Sequence, residues 1–169
     1  MKGLSMVEYD YVTRKRSEVR PFPRRGMGLV RALLRWMTHV QVAVFRATGG
    51  RAMNRFLGGF PVCIVTARGA RSGKVRRIAL IHLPHGENKL LVASQGGMDK
   101  MPGWYYNIAA NPEVRIMVDG EEKTYRARRV SDEEKAALWP HLCSLYPDFD
   151  EYQARTDRNI PVFSCEPVN

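Results

Sequence analysis

Only three cysteines occur in the 169 residues, Cys63, Cys143 and Cys165, scattered and odd in number. That argues against a disulfide framework and suits a reducing compartment. Zinc spacing is missing too. Of the four histidines only His82 and His85 lie close together, whereas a metal site needs three or four ligands. No apolar run approaches the length of a membrane span. The N-terminus lacks the charged, apolar and small-residue order of a secretory signal, so the expectation is a cytoplasmic protein. There is no internal repeat and no low-complexity segment.

What is present suits one globular domain: 44% hydrophobic and 26% charged residues in a chain long enough for a real core. The formal charge of +10 is unevenly placed. Residues 1–60 carry 12 Lys/Arg against 3 Asp/Glu, and residues 61–169 carry 15 against 14. The basic character therefore belongs to an N-terminal arm, which argues against a nucleic-acid-binding body. The expected organisation is a basic arm and amphipathic helix over 1–59, then a β-rich domain over 60–169.

Residues 1–25 are polar, basic and interrupted by Pro21 and Pro23, and read as a flexible arm. A helical pattern follows from Met27 to Ala47, with Val30, Leu33, Leu34, Met37, Val40 and Val44 near one face. The period then changes. Pro61–Ala67, Arg77–Leu83 and Lys89–Ser94 read as strands, the first two joined by a basic loop and the last two by a turn at 84–87. A short helix is predicted over Pro102–Ala110, closed by Asn111-Pro112. Glu113–Val118 and Lys123–Arg129 form a hairpin across Asp119-Gly120. Ser131 and Glu134 form a capping box that opens a helix, with a kink or break expected at Pro140. Ile160–Cys165 is the last strand. Five or six short strands with hairpin links suggest an antiparallel barrel.

Three segments carry chemistry. The loop Arg68–Arg77 combines glycines, which let backbone N–H groups approach a ligand, with arginines whose planar forks match phosphate oxygens. Ser72 precedes Gly73-Lys74, so this is not a P-loop. Ala93-Ser94-Gln95-Gly96-Gly97 follows a strand directly, and its glycines permit close backbone approach. Pro102-Gly103-Trp104-Tyr105-Tyr106-Asn107 sets three aromatics at a helix start. They cannot all face one core, and a helix N-terminus favours anions.

In this order, together with Ala110-Asn111-Pro112, Ser131–Glu134, Trp139-Pro140, Tyr146-Pro147, Thr156-Asp157-Arg158 and Ile160-Pro161, these motifs resemble the deazaflavin-dependent nitroreductase and quinone reductase family of actinobacteria. The resemblance covers residues 61–167. It implies a mainly β split-barrel fold with flanking helices, and a deazaflavin coenzyme of the F-420 type. It assigns Arg71, Ser72, Gly73 and Arg76 to the coenzyme's phosphate and acidic tail, and Ala79, Leu80 and Ile81 to the flank of the ring. Ala93, Ser94, Gln95, Gly96 and Gly97, with Trp104, Tyr105 and Asn107, complete the coenzyme contacts. Gln95 stands where relatives often have lysine, and Phe149 where some have tyrosine.

The implied activity is hydride transfer from the reduced deazaflavin to an electron-poor acceptor such as a quinone, with nitroaromatics and enones as further candidates. Solvent, Tyr146 and Tyr152 are the candidate proton sources, and Tyr146, Phe149 and Tyr152 the candidate acceptor pocket. Residues 27–47, with Trp36 beside Arg31, Arg35 and Arg46, fit either an interfacial helix on an anionic membrane or a helix packed on the barrel. The membrane alternative places the protein at the inner face of the cell membrane. An FMN-binding barrel, a non-catalytic deazaflavin carrier and a nucleic-acid binder remain as alternatives.

Overall fold

The computed structural model describes residues 9–19, 36–37, 39–45, 47–56 and 58–168. Its centre is a seven-stranded sheet in the order β2-β1-β5-β6-β7-β4-β3. The strands are β1 (Val62–Arg68), β2 (Val75–Ile81), β3 (Leu83–His85), β4 (Asn88–Val92), β5 (Glu113–Val118), β6 (Glu121–Arg129) and β7 (Val162–Pro167). The pairs β1–β2, β1–β5, β3–β4, β5–β6 and β6–β7 are antiparallel. The helices are α1, whose described helical residues lie within 36–47, α2 (Gly103–Ala110), α3 (Asp132–Leu145) and α4 (Asp148–Arg155). This is the expected mainly β, antiparallel split-barrel fold with helices.

β1 is an interior strand, paired with β2 and β5, and both of its faces are apolar: Val62 through Ala67 are all buried. On one face Val62 and Ile64 pack with Val42 and Phe45 of α1, and Ala79 and Met117 close the cluster. The register explains the company: Ile64 lies opposite Ala79 and Met117, and directly opposed residues share a face. The β5–β6 hairpin turns on Asp119 and Gly120, with φ of 48° and 89°. Glycine is required at 120 because a Cβ there would lie 2.3 Å from the Gly49 carbonyl oxygen.

By spatial contact the chain forms two units that interleave along the sequence. One, the helical unit, contains Val92–Pro102, Val130–Val162 and the described part of 1–22; the other, the sheet unit, contains Gly103–Arg129, 163–168 and the described part of 23–91. The expected boundary at 59/60 falls inside the sheet unit, because Val42 and Phe45 are part of its core.

Several local expectations are corrected. Residues 9–19 are held rather than free: the Asp150 carboxylate accepts the Thr13 and Arg14 N–H groups at 3.1 and 2.8 Å and the Thr13 hydroxyl at 2.6 Å. The rest of the predicted arm, and residues 27–35 of the predicted helix, lie outside the described residues. α3 runs through Pro140 without a break, and the chain leaves the helix only at Tyr146. Trp139 and Leu142, buried on either side of Pro140, hold that turn in place. Ser131 Oγ accepts the Glu134 N–H at 3.1 Å, the predicted cap. α4 has no counterpart in the sequence expectations.

Candidate functional site

In the sheet unit, the basic loop between β1 and β2 folds into a tight turn. Gly69 N–H donates to Lys74 O at 2.8 Å, and Gly73 N–H to Gly69 O at 2.9 Å. Gly73 supplies the left-handed conformation, at φ 63°. A Cβ on Gly69 would lie 2.9 Å from Ser72 Oγ, so glycine there lets the serine fold inward. Asn107 and Asn111 of the α2 end fasten the turn from outside. Asn107 Oδ1 accepts the Ala70 N–H at 3.0 Å, and Asn111 Nδ2 donates to Arg68 O at 3.3 Å.

What this leaves over is informative. The N–H groups of Arg71 and Ser72 and the side-chain cations of Arg71, Lys74 and Arg76 meet no hydrogen-bond acceptor or carboxylate among the described residues. Free N–H groups with two arginines and a lysine beside them have the chemistry that suits an anion.

The strand expected along a ring splits between two faces. Arg76, Ile78 and Leu80 share one face of β2, while Arg77, Ala79 and Ile81 share the other. Ala79 is already packed against the α1 cluster. Thr66 sits opposite Arg77 and Arg115, 5% exposed, and its Oγ1 has no hydrogen-bond partner among the described residues. On α2 the aromatics divide as their number requires. Trp104 is buried with its ring centroid 6.1 Å from that of Phe163, Tyr105 lies 5.7 Å from the same ring, and Tyr106 is exposed.

In the helical unit, Ala93–Met98 forms a second turn. Gln95, Gly96 and Gly97 have φ of 46°, 67° and 78°, three successive left-handed residues. The close approach that Gly97 permits is to α4: a Cβ there would stand 2.5 Å from the Tyr152 carbonyl oxygen. Gln95 folds back on its own loop, with its amide able to donate to Met101 O at 3.1 Å. Arg155 NH1 donates to Gly96 O at 2.7 Å. The N–H groups of Ser94, Gln95 and Gly96 have no acceptor among the described residues. This turn, like the first, presents N–H donors.

Tyr146, Phe149 and Tyr152 are brought together. Tyr146 and Phe149 are buried with ring centroids 4.9 Å apart, and the Tyr146 and Tyr152 hydroxyls are 3.1 Å from each other. Burial first, then the neighbouring hydroxyl and Asp148, hold the Tyr146 phenol above its ordinary range. Burial likewise raises that of Tyr152, with Arg155 opposing. Both are neutral donors at physiological pH.

Three residues given no role by the sequence organise the helical unit. Arg158 grips the 93–101 segment, and its position in Thr156-Asp157-Arg158 was the only signal. Lys135 is 2% exposed; its ammonium donates to Gln153 Oε1 at 2.7 Å and to Asn159, and lies 4.8 Å from the Trp139 ring. Asp150 ties segment 9–19 to Trp139 Nε1 at 3.0 Å. Among the described residues no cluster of His, Cys, Asp and Glu could hold a metal ion, and no helix is long and apolar enough to cross a membrane.

Residues 36–167 match the family described as F420H(2)-dependent quinone reductase. An F420H(2)-dependent quinone reductase of Mycobacterium tuberculosis (strain ATCC 25618 / H37Rv) is 36% identical over 123 residues, 71% of this chain and 83% of that protein. The solved structure of an F420-H2 dependent reductase superposes with a TM-score of 0.59 at 38% identity, covering 63% of this chain and 94% of that one. A second, described as a domain-swapped dimer, gives a TM-score of 0.62 at 32% identity, covering 79% and 98%.

The antiparallel sheet is thus the scaffold of a split-barrel oxidoreductase. The chain belongs to the F420H(2)-dependent quinone reductase family, whose hydride donor is the reduced F-420 coenzyme. The FMN and non-catalytic alternatives are not favoured.

Proposed function

We propose that this protein transfers a hydride from reduced coenzyme F-420 to a quinone-type acceptor, and that the donor-rich turn of the sheet unit and that of the helical unit are each coenzyme-binding elements, as the resemblance in the sequence assigns them. The observation that carries the assignment is the set of donors at Arg71, Ser72 and Arg76 and at Ser94–Gly96 that meet no acceptor among the described residues. A ligand bearing phosphate and carboxylates fits such donors. Arg71, Ser72, Gly73 and Arg76 take the phosphate and acidic tail. Ala93–Gly97 offer backbone N–H groups, and Leu80, Trp104 and Tyr105 supply apolar surface for the ring. Asn107 acts through the turn it fastens. When bound, the coenzyme supplies the hydride.

The chain's own part is binding, orientation and proton supply. The Tyr146–Tyr152 hydroxyl pair is the candidate proton source, with Phe149 packed beside it. Either phenol can donate and be reprotonated by the other or by solvent. The test is to mix protein with reduced F-420 and a panel of quinones, nitroaromatics and enones, and to follow reoxidation. Turnover with quinones is expected; failure to bind the coenzyme sinks the proposal.

A peripheral membrane position is a second proposal. Trp36 is 63% exposed and Met37 44%, and Met53 and Phe56 are exposed as well. Apolar side chains of this size on a basic segment suit an anionic lipid surface. Because Val42 and Phe45 are core, deletion of 1–59 would damage the sheet unit, so Trp36→Ser with Met37→Ser is the cleaner variant. Equal co-sedimentation of variant and wild type with anionic liposomes removes the membrane role.

A further inference from the structure

The Ala93–Met98 turn is strained, and its shape is set by one side chain. Gln95 is a non-glycine residue in the left-handed region and is followed by two left-handed glycines, a run that persists only when its surroundings enforce it. Arg158 provides that enforcement. Its NH1 donates to Ala93 O at 3.1 Å and its NH2 to Ser94 O at 3.0 Å, before the turn. After the turn, Nε and NH2 both donate to Met98 O, at 3.2 and 3.0 Å. NH1 also meets Met101 Sδ at 3.1 Å. A guanidinium has five N–H donors, and these five contacts use them all.

The consequence is directional. With Arg155 on Gly96 O, arginines occupy the carbonyls of residues 93, 94, 96 and 98. Each peptide whose carbonyl points back at a cation turns its N–H the other way, so the held carbonyls of Ala93 and Ser94 aim the N–H groups of Ser94 and Gln95, which have no acceptor among the described residues. Arg158 is itself fixed from behind. Its carbonyl accepts Gln153 Nε2 at 2.9 Å, and Gln153 Oε1 accepts the Lys135 ammonium and the Ile160 N–H at 2.7 and 2.9 Å.

We infer that Arg158 is a positioning residue for the coenzyme: it holds the carbonyls of the 93–98 turn so that the turn presents its N–H groups to the anionic ligand. This rests on the coenzyme assignment above. Arg158 does not contact the ligand, since its donors are spent on the turn.

The experiment compares wild type with Arg158→Ala and Arg158→Lys. Hydrogen exchange is followed by mass spectrometry on coenzyme-free protein, F-420 affinity by fluorescence titration, and turnover with a quinone. For Arg158→Ala the expectation is faster exchange confined to 93–101, at least tenfold weaker F-420 binding, and acceptor KM within twofold of wild type. Millimolar guanidinium should restore affinity in this variant. Arg158→Lys, which cannot span both sides of the turn, should weaken binding about fivefold while keeping the wild-type melting temperature, and serves if the alanine variant does not fold. Unchanged exchange at 93–101 in a folded variant overturns the clamp. Faster exchange with unchanged F-420 affinity overturns its role toward the coenzyme. Wild-type protein that binds no F-420 overturns the underlying assignment as well, with the exchange result then reporting on the clamp by itself.

Discussion

Asn107 Oδ1 accepts the Ala70 N–H at 3.0 Å, and this contact ties α2 to the basic turn 37 residues away. The hydrogen bond consumes one N–H and leaves those of Arg71 and Ser72 without an acceptor among the described residues, so in the proposed anion site the asparagine acts on the turn and not on the ligand. Asn107→Ala should weaken F-420 binding about fivefold, the worth of one net hydrogen bond of about 1 kcal/mol. Titration of coenzyme fluorescence reads this directly, and unchanged affinity would disconnect α2 from the turn's function.

Arg71→Ala and Arg76→Ala remove cations that no carboxylate among the described residues neutralises. Each should weaken coenzyme binding by a factor of about 10 to 100, since charge-assisted hydrogen bonds contribute about 1.5–3 kcal/mol. Stability should hardly move, because neither side chain is buried. The salt dependence of the coenzyme Kd should also flatten in both variants.

Gly97→Ala and Gly73→Ala separate two uses of a left-handed glycine. At Gly97 a methyl meets Tyr152 O at 2.5 Å, whereas at Gly73 it meets nothing within 4 Å. Gly73→Ala should cost about 1 kcal/mol from backbone strain, and Gly97→Ala about 3 kcal/mol or more because α4 must shift as well. Thermal unfolding should rank them in that order.

Asp150 links acid stability to the N-terminal segment. Burial pushes its carboxyl up, but hydrogen bonds from Thr13, Trp139 and Arg14 outweigh burial and leave it below the ordinary carboxylate range. A folded-state pKa below the unfolded one contributes stability that is present above the ordinary carboxylate pKa and is lost as pH falls through the folded value. Segment 9–19 should therefore release in acid, and Asp150→Asn should release it at neutral pH. Limited proteolysis at Arg14, Lys15 and Arg16 measures both.

Burial pushes the thiols of Cys63 and Cys165 up to about 12. Folded-state values above the unfolded ones mean that stability is complete below pH ~9 and declines as pH rises toward 12. Neither thiol should react with a thiol reagent in native protein, while half-buried Cys143 should react slowly. Rapid labelling of three thiols at neutral pH would contradict this packing.

The strands, the hairpin and the basic turn were legible because local chemistry dictates them. β1 is a run of apolar and β-branched residues, Asp119-Gly120 takes two positive φ values, and Gly73 does the same within a cationic loop. The resemblance in the sequence named the family for the same reason: its motifs are short, local and ordered. α4 was not legible. Two of its three buried residues, Asp150 and Gln153, are polar, so no apolar period marks it, and its place is set by Gly97 beneath Tyr152. Nor could spacing reveal that Ala79 would be taken up by α1 while Leu80 faced the other way, since that depends on the register with β1.

The sequence by itself determined which groups bear charge and where the backbone can bend: Arg71, Ser72, Gly73 and Arg76 in one turn, Gly96 and Gly97 in the other. Only the tertiary structure decided which of their polar atoms are spent. Asn107 and Arg158 reach the two turns from 37 and about 60 residues away and take particular N–H or carbonyl groups. Side-chain partners at that separation are fixed by packing, and what they leave unbonded is what a ligand can use.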